Sequence, residues 1–384
     1  MSVYELAILG DASVAERQVL TGTIARMVGE FGLAVGTDVI VHDGSTVASR
    51  DRRSAFAAAY FGGPKQVDKD VAHEVALSSV PVIPTISQTE NFGALVPDFL
   101  QASNGLRRRD DDPQLTELSI ALLECMGLLR RQRRAFVSYR RVESRMAALQ
   151  IHDLLSERGF DVFLDTHDVP PGERFQEVLW HRLCDSDVMV MLDTETYFES
   201  KWTRQEFGKA LAREVHILRV VWPGHAPSKA ASLAETIRLD GADLRGADGP
   251  ITDAKADEIV LAVESLRSRS IASRYMSITG RLRVCAEKVG ATVEGIGAHR
   301  AISVRLLDDR RVWAYPIVGV PTAELLYDVA EKARRANQLQ TPALVYDHIG
   351  IRDQWIAHLK WLDDNIRSVR AMKVREADWA LTDW

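Results

Sequence analysis

The chain has 384 residues, 46% hydrophobic and 27% charged, with a formal net charge of −6. That length exceeds the ~250–300 residues at which one hydrophobic core stops growing, so two or three domains are expected, and the acidic balance gives no general attraction to nucleic acid or anionic membrane. Three widely spaced cysteines, Cys125, Cys184 and Cys285, with no CxxC pair, argue against a disulfide framework and a zinc site and fit a reducing cytoplasm.

From the amino end, VYELAILGD reads as a strand, VAERQVLTGTIARMVGEFG as a helix stopped at Gly32, and DVIVHDG as a second strand. RSAFAAAYF and KDVAHEVALSS both read as helical, the second running into a strand at VPVIPTI. This alternation predicts a parallel sheet with helices on its faces over residues 1–110. The charge run RRRDDDP at 107–113 reads as a solvated break. A connecting helix follows at 111–132, with Leu115, Leu118, Leu122, Cys125 and Leu129 on one face, to be covered by a neighbouring domain of the same chain.

Residues 133–272 repeat the alternation with clear punctuation. AFVSY, FDVFLD, DVMVML and VHILRVVW are strands. Between them SRMAALQIHDLLSER, RFQEVLWHRL and KWTRQEFGKALARE are helices, the last with Ser200 as its N-cap, and DAKADEIVLAVESLRSR closes the unit. The expectation is a doubly wound parallel sheet of four or five strands, with LDGADLRGAD at 239–248 as a loop. Residues 273–384 suggest a third α/β or α+β domain, with Trp313, Trp355, Trp361, Trp379 and Trp384 as core. No stretch of ~18 apolar residues and no signal-peptide pattern occurs, so a cytoplasmic protein with no membrane partner is expected.

The first strand of the middle segment delivers Ser138, Tyr139, Arg140 and Arg141 to its carboxyl end, where ligands bind in open α/β sheets, and the second delivers Asp165 to the same edge. Trp202 and Glu206 stand four apart on a helix and share a face. A carboxylate, two guanidinium groups and aromatic rings around one crevice suit a ligand with phosphates, a sugar and flat rings. No metal-ligand spacing, no Ser/His/Asp set and no glycine-rich dinucleotide loop is present. The arginines between 130 and 141 offer nucleic acid a local basic cluster, which the acidic chain as a whole disfavours.

Four landmarks occur in order: FVSYRR at 136–141, FLDTHDVPPGERF at 163–175, TYFESKW at 196–202 and WTRQE at 202–206. Together they resemble a Toll/interleukin receptor (TIR) domain of the bacterial NAD-cleaving type. The resemblance implies a flavodoxin-like doubly wound sheet, here flanked by two further α/β or α+β domains. It also implies cleavage of the nicotinamide–ribose bond of NAD, with NAD as substrate and no cofactor. Glu206 matches the glutamate of the WxxxE pattern and would be catalytic; Ser138, Tyr139, Arg140, Arg141, Asp165, Phe175 and Trp202 would contact substrate. The turn carrying His167, Pro170, Pro171 and Gly172 would dock on a neighbouring copy, making a homo-oligomer through TIR domains. The paired prolines and Arg174 depart from the simpler pattern. The implied role is a regulated immune effector answering to an activating ligand or partner protein; the alternative is a non-catalytic TIR adaptor that acts by assembly alone. In the first segment, Tyr60-Phe61 and Glu74 echo Tyr197-Phe198 and Glu206, with Asp70 where the tryptophan would stand, which suggests an inactive TIR-like domain.

Overall fold

The computed structural model describes residues 3–164, 175–226, 231–232 and 234–384. The first segment runs β1 (Tyr4–Gly10), α1 (Val14–Gly29), β2 (Val39–His42), β3 (Ala55–Phe61), α2 (Lys69–Leu77), β4 (Val82–Ser87), the single turns α3 (Phe92–Leu95) and α4 (Asp98–Gln101), β5 (Leu106–Arg108) and α5 (Thr116–Cys125). Its strands pair in parallel in the order β2-β1-β3-β4-β5. Helix α1 starts at a reciprocal cap: Ser13 Oγ accepts from the Glu16 amide at 3.2 Å and the Ser13 amide donates to the Glu16 carboxylate at 2.8 Å.

One element differs in kind from the sequence expectation. RSAFAAAYF is strand β3, not a helix, and all seven of its residues are buried. A central strand covered on both faces has no polar alternation, and with alanine at four of its seven positions it imitates a buried helix. The helix read as a connector, α5, puts Leu118, Ala121 and Leu122 into the same core as Ile24 and Val28 of α1 and Ala57 of β3. The proposed echo of the middle segment also fails in detail. Glu74 lies exposed on α2, whereas Glu206 is buried; Tyr60 and Phe61 lie inside β3, whereas Tyr197 and Phe198 lie in a short 3-10 turn.

The middle segment runs β6 (Arg134–Ser138), α6 (Arg141–Glu157), β7 (Asp161–Leu164), α7 (Phe175–Asp185), β8 (Val188–Asp193), α8 (Lys201–Ala212), β9 (His216–Val221), β10 (Glu235–Arg238) and α9 (Asp253–Lys288). All pairings are parallel in the order β10-β9-β8-β6-β7. In both sheets the first strand of the segment sits between the second and the third, the flavodoxin-like order, which opens a crevice at the carboxyl ends beside that strand. Ala135, Val137 and Tyr139 face a core with α6 and the start of α9, while Phe136 faces another with Leu179, Leu183 and Phe207 of α7 and α8. Strand β10 has no apolar signal because three of its four residues are exposed. Helix α9 continues for 36 residues, past the stop expected near Arg269. Within the middle unit its Arg267 and Glu264 are held by buried ion pairs to Asp187, at 3.0 Å, and to Arg133.

The last segment runs β11 (Thr292–Ile296), β12 (Ile302–Arg305), β13 (Arg311–Pro316), α10 (Ala323–Arg335), β14 (Ala343–Tyr346), α11 (Asp353–Asn365), β15 (Arg370–Lys373) and α12 (Ala377–Thr382). Strands β11, β12 and β13 pair antiparallel and β13, β14 and β15 parallel. Its tryptophans are not the centre of the core: Trp361 and Trp379 are 60% and 77% exposed, Trp384 packs partly buried against its margin, and the core is built from Ile302, Val304, Val312 and Val345. The chain is thus an α/β protein, with three five-stranded sheets among the described residues. It resolves into two compact units, Met1–Leu129 with Ala272–His348 and Asp353–Trp384, and Arg130–Ile271 with Ile349–Arg352. Among the described residues no helix is long and apolar enough to cross a membrane.

Candidate functional site

Strand β6 ends at Ser138, in register with Met191 of β8, which pairs in turn with Arg219 of β9. Alternation along the strand sends Phe136 to the α7–α8 side and Val137 and Tyr139 to the other. Ser138, fully buried, donates through Oγ to the Glu206 carboxylate at 2.5 Å and shares a hydrogen bond with the Tyr197 hydroxyl at 2.6 Å. Glu206 is 2% exposed. A buried carboxylate is costly unless hydrogen-bonded, and two hydroxyls in series supply donors to this one.

Helix α8 positions that carboxylate. Ser200 caps it by accepting from the Trp202 amide at 3.3 Å, and Thr203, Glu206, Phe207 and Ala210 form its buried face. Trp202, one turn before Glu206, is half exposed with Lys201 Nζ 5.9 Å from its ring centre, so the ring is open for stacking. Thr203 Oγ1 donates to the Tyr197 carbonyl, tying the turn that carries the tyrosine to the helix that carries the glutamate.

Arg140 follows β6 at the N-cap position of α6, and its Nε is buried with no hydrogen-bond partner among the described residues. Arg141 is exposed in the first turn of the helix. Tyr139 is 4% exposed and packs in the core on the α6 side of the sheet, whereas Phe207 belongs to the core on the other side. Asp165, His167, Pro170, Pro171 and Gly172 lie outside the described residues, as does the side chain of Phe175, whose backbone opens α7.

The sequence reading missed a second buried polar group at the same sheet edge. Asp193, the last residue of β8, accepts from Arg219 Nε at 2.6 Å and lies 3.4 Å from His225 Nε2. Glu143, in the first turn of α6, accepts from Thr194 Oγ1 at 2.5 Å and from the Thr196 amide at 3.4 Å. The signal was present: an arginine inside the apolar run HILRVV has to find a buried carboxylate. Tyr197 carried no comparable signal, because its partner lies 59 residues earlier in the chain. Among the described residues no group of His, Cys, Asp and Glu is arranged to hold a metal ion.

A serine, a tyrosine and a glutamate in one buried hydrogen-bonded row, with a guanidinium after the same strand and an open indole on the same helix, can bind a sugar hydroxyl and a phosphate beside a flat ring. Comparison with known proteins bears on the fold that builds it. Residues 135–259 match the TIR domain family. No curated protein matches. Among solved structures, the C-terminal domain of glucosamine-fructose-6-phosphate aminotransferase from Francisella tularensis shares 10% identity, with 71% of this chain and 84% of that chain covered and a TM-score of 0.18, too low to bear on this fold. The family match and the doubly wound sheet with its strand order agree: residues 135–259 of this chain are a TIR domain.

Proposed function

We propose that the TIR domain cleaves the bond between nicotinamide and ribose in NAD, with Glu206 as the catalytic carboxylate. The observation that carries this reading is the hydrogen bond from Ser138, at the carboxyl end of β6, to Glu206. It sets the carboxylate at the sheet edge where Arg140 follows with a buried, unpartnered Nε. Breaking the C–N bond puts positive charge on the anomeric carbon and ring oxygen, and nicotinamide departs as a neutral molecule, so no general acid has to protonate it. One carboxylate suffices: it accepts from a ribose hydroxyl and stabilises the oxocarbenium charge. Water then adds its oxygen to the anomeric carbon and releases a proton, giving ADP-ribose; attack by a ring nitrogen of the adenine gives the cyclic product instead. Arg140 and Arg141 bind the phosphates and Trp202 stacks on a ring.

The burial of Glu206 has a consequence for regulation. At 2% exposure the carboxylate is sealed from solvent, and a ribose hydroxyl reaches it only when the sheet edge around it opens. Such an enzyme is silent until its edge opens, which fits activation by assembly of TIR domains and a role as a regulated cytoplasmic immune effector. The test is nicotinamide release from NAD by the full chain under crowding or on beads, with mass spectrometry of the nucleotide product. Glu206→Ala is expected to lower the rate by about a hundredfold or more. Undiminished release in that variant, or none from the wild type in either condition, overturns the reading.

A further inference from the structure

The first compact unit contains a cavity of about 210 Å³ outside the TIR domain, and three arginines line it: Arg50, Arg52 and Arg300. Arg50 and Arg52 lie in the stretch leading into β3, and Ser78 and Pro81 lead into β4 on another wall. The cavity therefore opens at the amino ends of these strands, the edge opposite the usual ligand crevice. None of the three guanidinium groups has a carboxylate partner among the described residues. Arg300 is only 7% exposed, yet its Nε and Nη2 both donate to the Cys125 carbonyl, at 2.8 and 2.6 Å. Arg50 Nη2 donates to Ser78 Oγ at 2.9 Å. Arg300 is buried, Arg50 half-buried and Arg52 exposed at the rim, and gathering three like charges at one small cavity is unfavourable unless something anionic offsets them. Arg50 registers this: burial and the neighbouring charge of Arg52 lower its pKa from 12.5, and the attraction of the Glu5 carboxylate only partly opposes them.

The remaining walls describe what else the occupant carries. The Arg50 guanidinium lies 4.9 Å from the centre of the Phe56 ring and that of Arg300 4.6 Å from the centre of the Tyr275 ring. Guanidinium planes against aromatic rings form flat surfaces on which a further ring stacks. The backbone is also committed to this arrangement. His299 and Arg300 are consecutive non-glycine residues in the left-handed region, at φ 60° and 56°. Strain of this kind persists where the surroundings over-determine it and clusters at ligand clamps. Here it turns His299 to Glu124 at 2.6 Å and Arg300 to the cavity.

We propose that this cavity is a binding site for a phosphate-bearing ligand with an aromatic ring, of the nucleotide class, whose anionic group is held by Arg50, Arg52 and Arg300 and whose ring packs beside Phe56 and Tyr275. The site is separate from Glu206 and stands whether or not the TIR domain cleaves NAD. Calorimetric titration of the full chain with AMP and with ADP tests it, with adenosine and inorganic phosphate as half-ligands. Saturable binding of at least one nucleotide is expected, with each half-ligand weaker by about tenfold or more. Loss of one charge-assisted contact in Arg300→Gln should weaken nucleotide binding about ten- to hundredfold. Arg52→Ala, at an exposed position, should weaken it in the same direction, while thermal melting in the absence of ligand stays at the wild-type value. Absence of binding at about 1 mM nucleotide, adenosine binding as tightly as AMP, or wild-type affinity in both variants overturns the proposal.

Discussion

Ser138 stands between Glu206 and Tyr197, and the two bonds at 2.5 and 2.6 Å make it the hinge of the buried row. Removing its hydroxyl in Ser138→Ala takes a donor from a carboxylate that water does not reach. Hydrogen bonds to charged groups contribute about 1.5–3 kcal/mol, so a loss of that order is expected in the stability of the unit. Tyr197→Phe removes the outer hydroxyl only, and a smaller loss of about 1 kcal/mol follows, since both partners of that bond are neutral. The decisive measurement is a double-mutant cycle by urea denaturation. In a Glu206→Gln background, Ser138→Ala should cost clearly less than in the wild type, because its charged acceptor has gone. Additive losses would mean that Ser138 acts through packing alone and that the short contact carries no charge-assisted bond.

At the scale of the element, helix α8 carries both Trp202 and Glu206, so anything that loosens its first turn loosens the site. Ser200→Ala removes the acceptor for the Trp202 amide and should cost about 1 kcal/mol, seen as roughly fivefold faster amide exchange in the first turn of α8, while Ser200→Asp should keep protection near the wild-type level. Unchanged exchange in Ser200→Ala would show that tertiary packing alone holds that turn. This helix was readable in the sequence down to its cap, because a capping serine and an apolar face at helical spacing are local properties. Strand β3 was not: the stretch AFAAAYF has no period to read once both faces are covered, and only its neighbours β1 and β4 make it a strand. The same limit explains the site. Spacing and strand order suffice to expect Glu206, Trp202 and Arg140 at one edge, whereas the row through Ser138 to Tyr197 and the pair Asp193–Arg219 depend on contacts between distant stretches of chain. Tyr139, at the same edge, packs in the α6-side core, because one step along a strand reverses the face.

At the scale of the whole molecule, the two compact units should answer differently to acid, because each contains a titrating group with its own window. In the TIR unit, burial together with the charges of Arg352 and Arg182 lowers the pKa of His181 from 6.5 to about 4, against the pull of Asp185. Between those values the unfolded chain holds a proton that the folded unit does not. Stability is therefore full above pH 6.5 and falls as pH drops toward 4. In the other unit Glu124 is also buried, which by itself raises its pKa, but the bond from His299 and the charge of Lys332 outweigh burial and the pKa falls below the ordinary 4.5. Its contribution is intact above pH 4.5 and is lost only as pH falls further. Acidification from pH 7.5 to about 5 should thus destabilise the TIR unit through His181 while leaving the contribution of Glu124 in place. Hydrogen exchange followed peptide by peptide at the two pH values, corrected for intrinsic rates, resolves the units without assuming that they unfold together. The expected result is a selective loss of protection in the core strands β6, β8 and β9, reduced in His181→Gln, whose side chain has no proton to take up over this range. If His181→Gln and the wild type lose protection equally, the acid response arises from other groups, and the burial of His181 is not what makes the TIR unit the more acid-sensitive part of this chain.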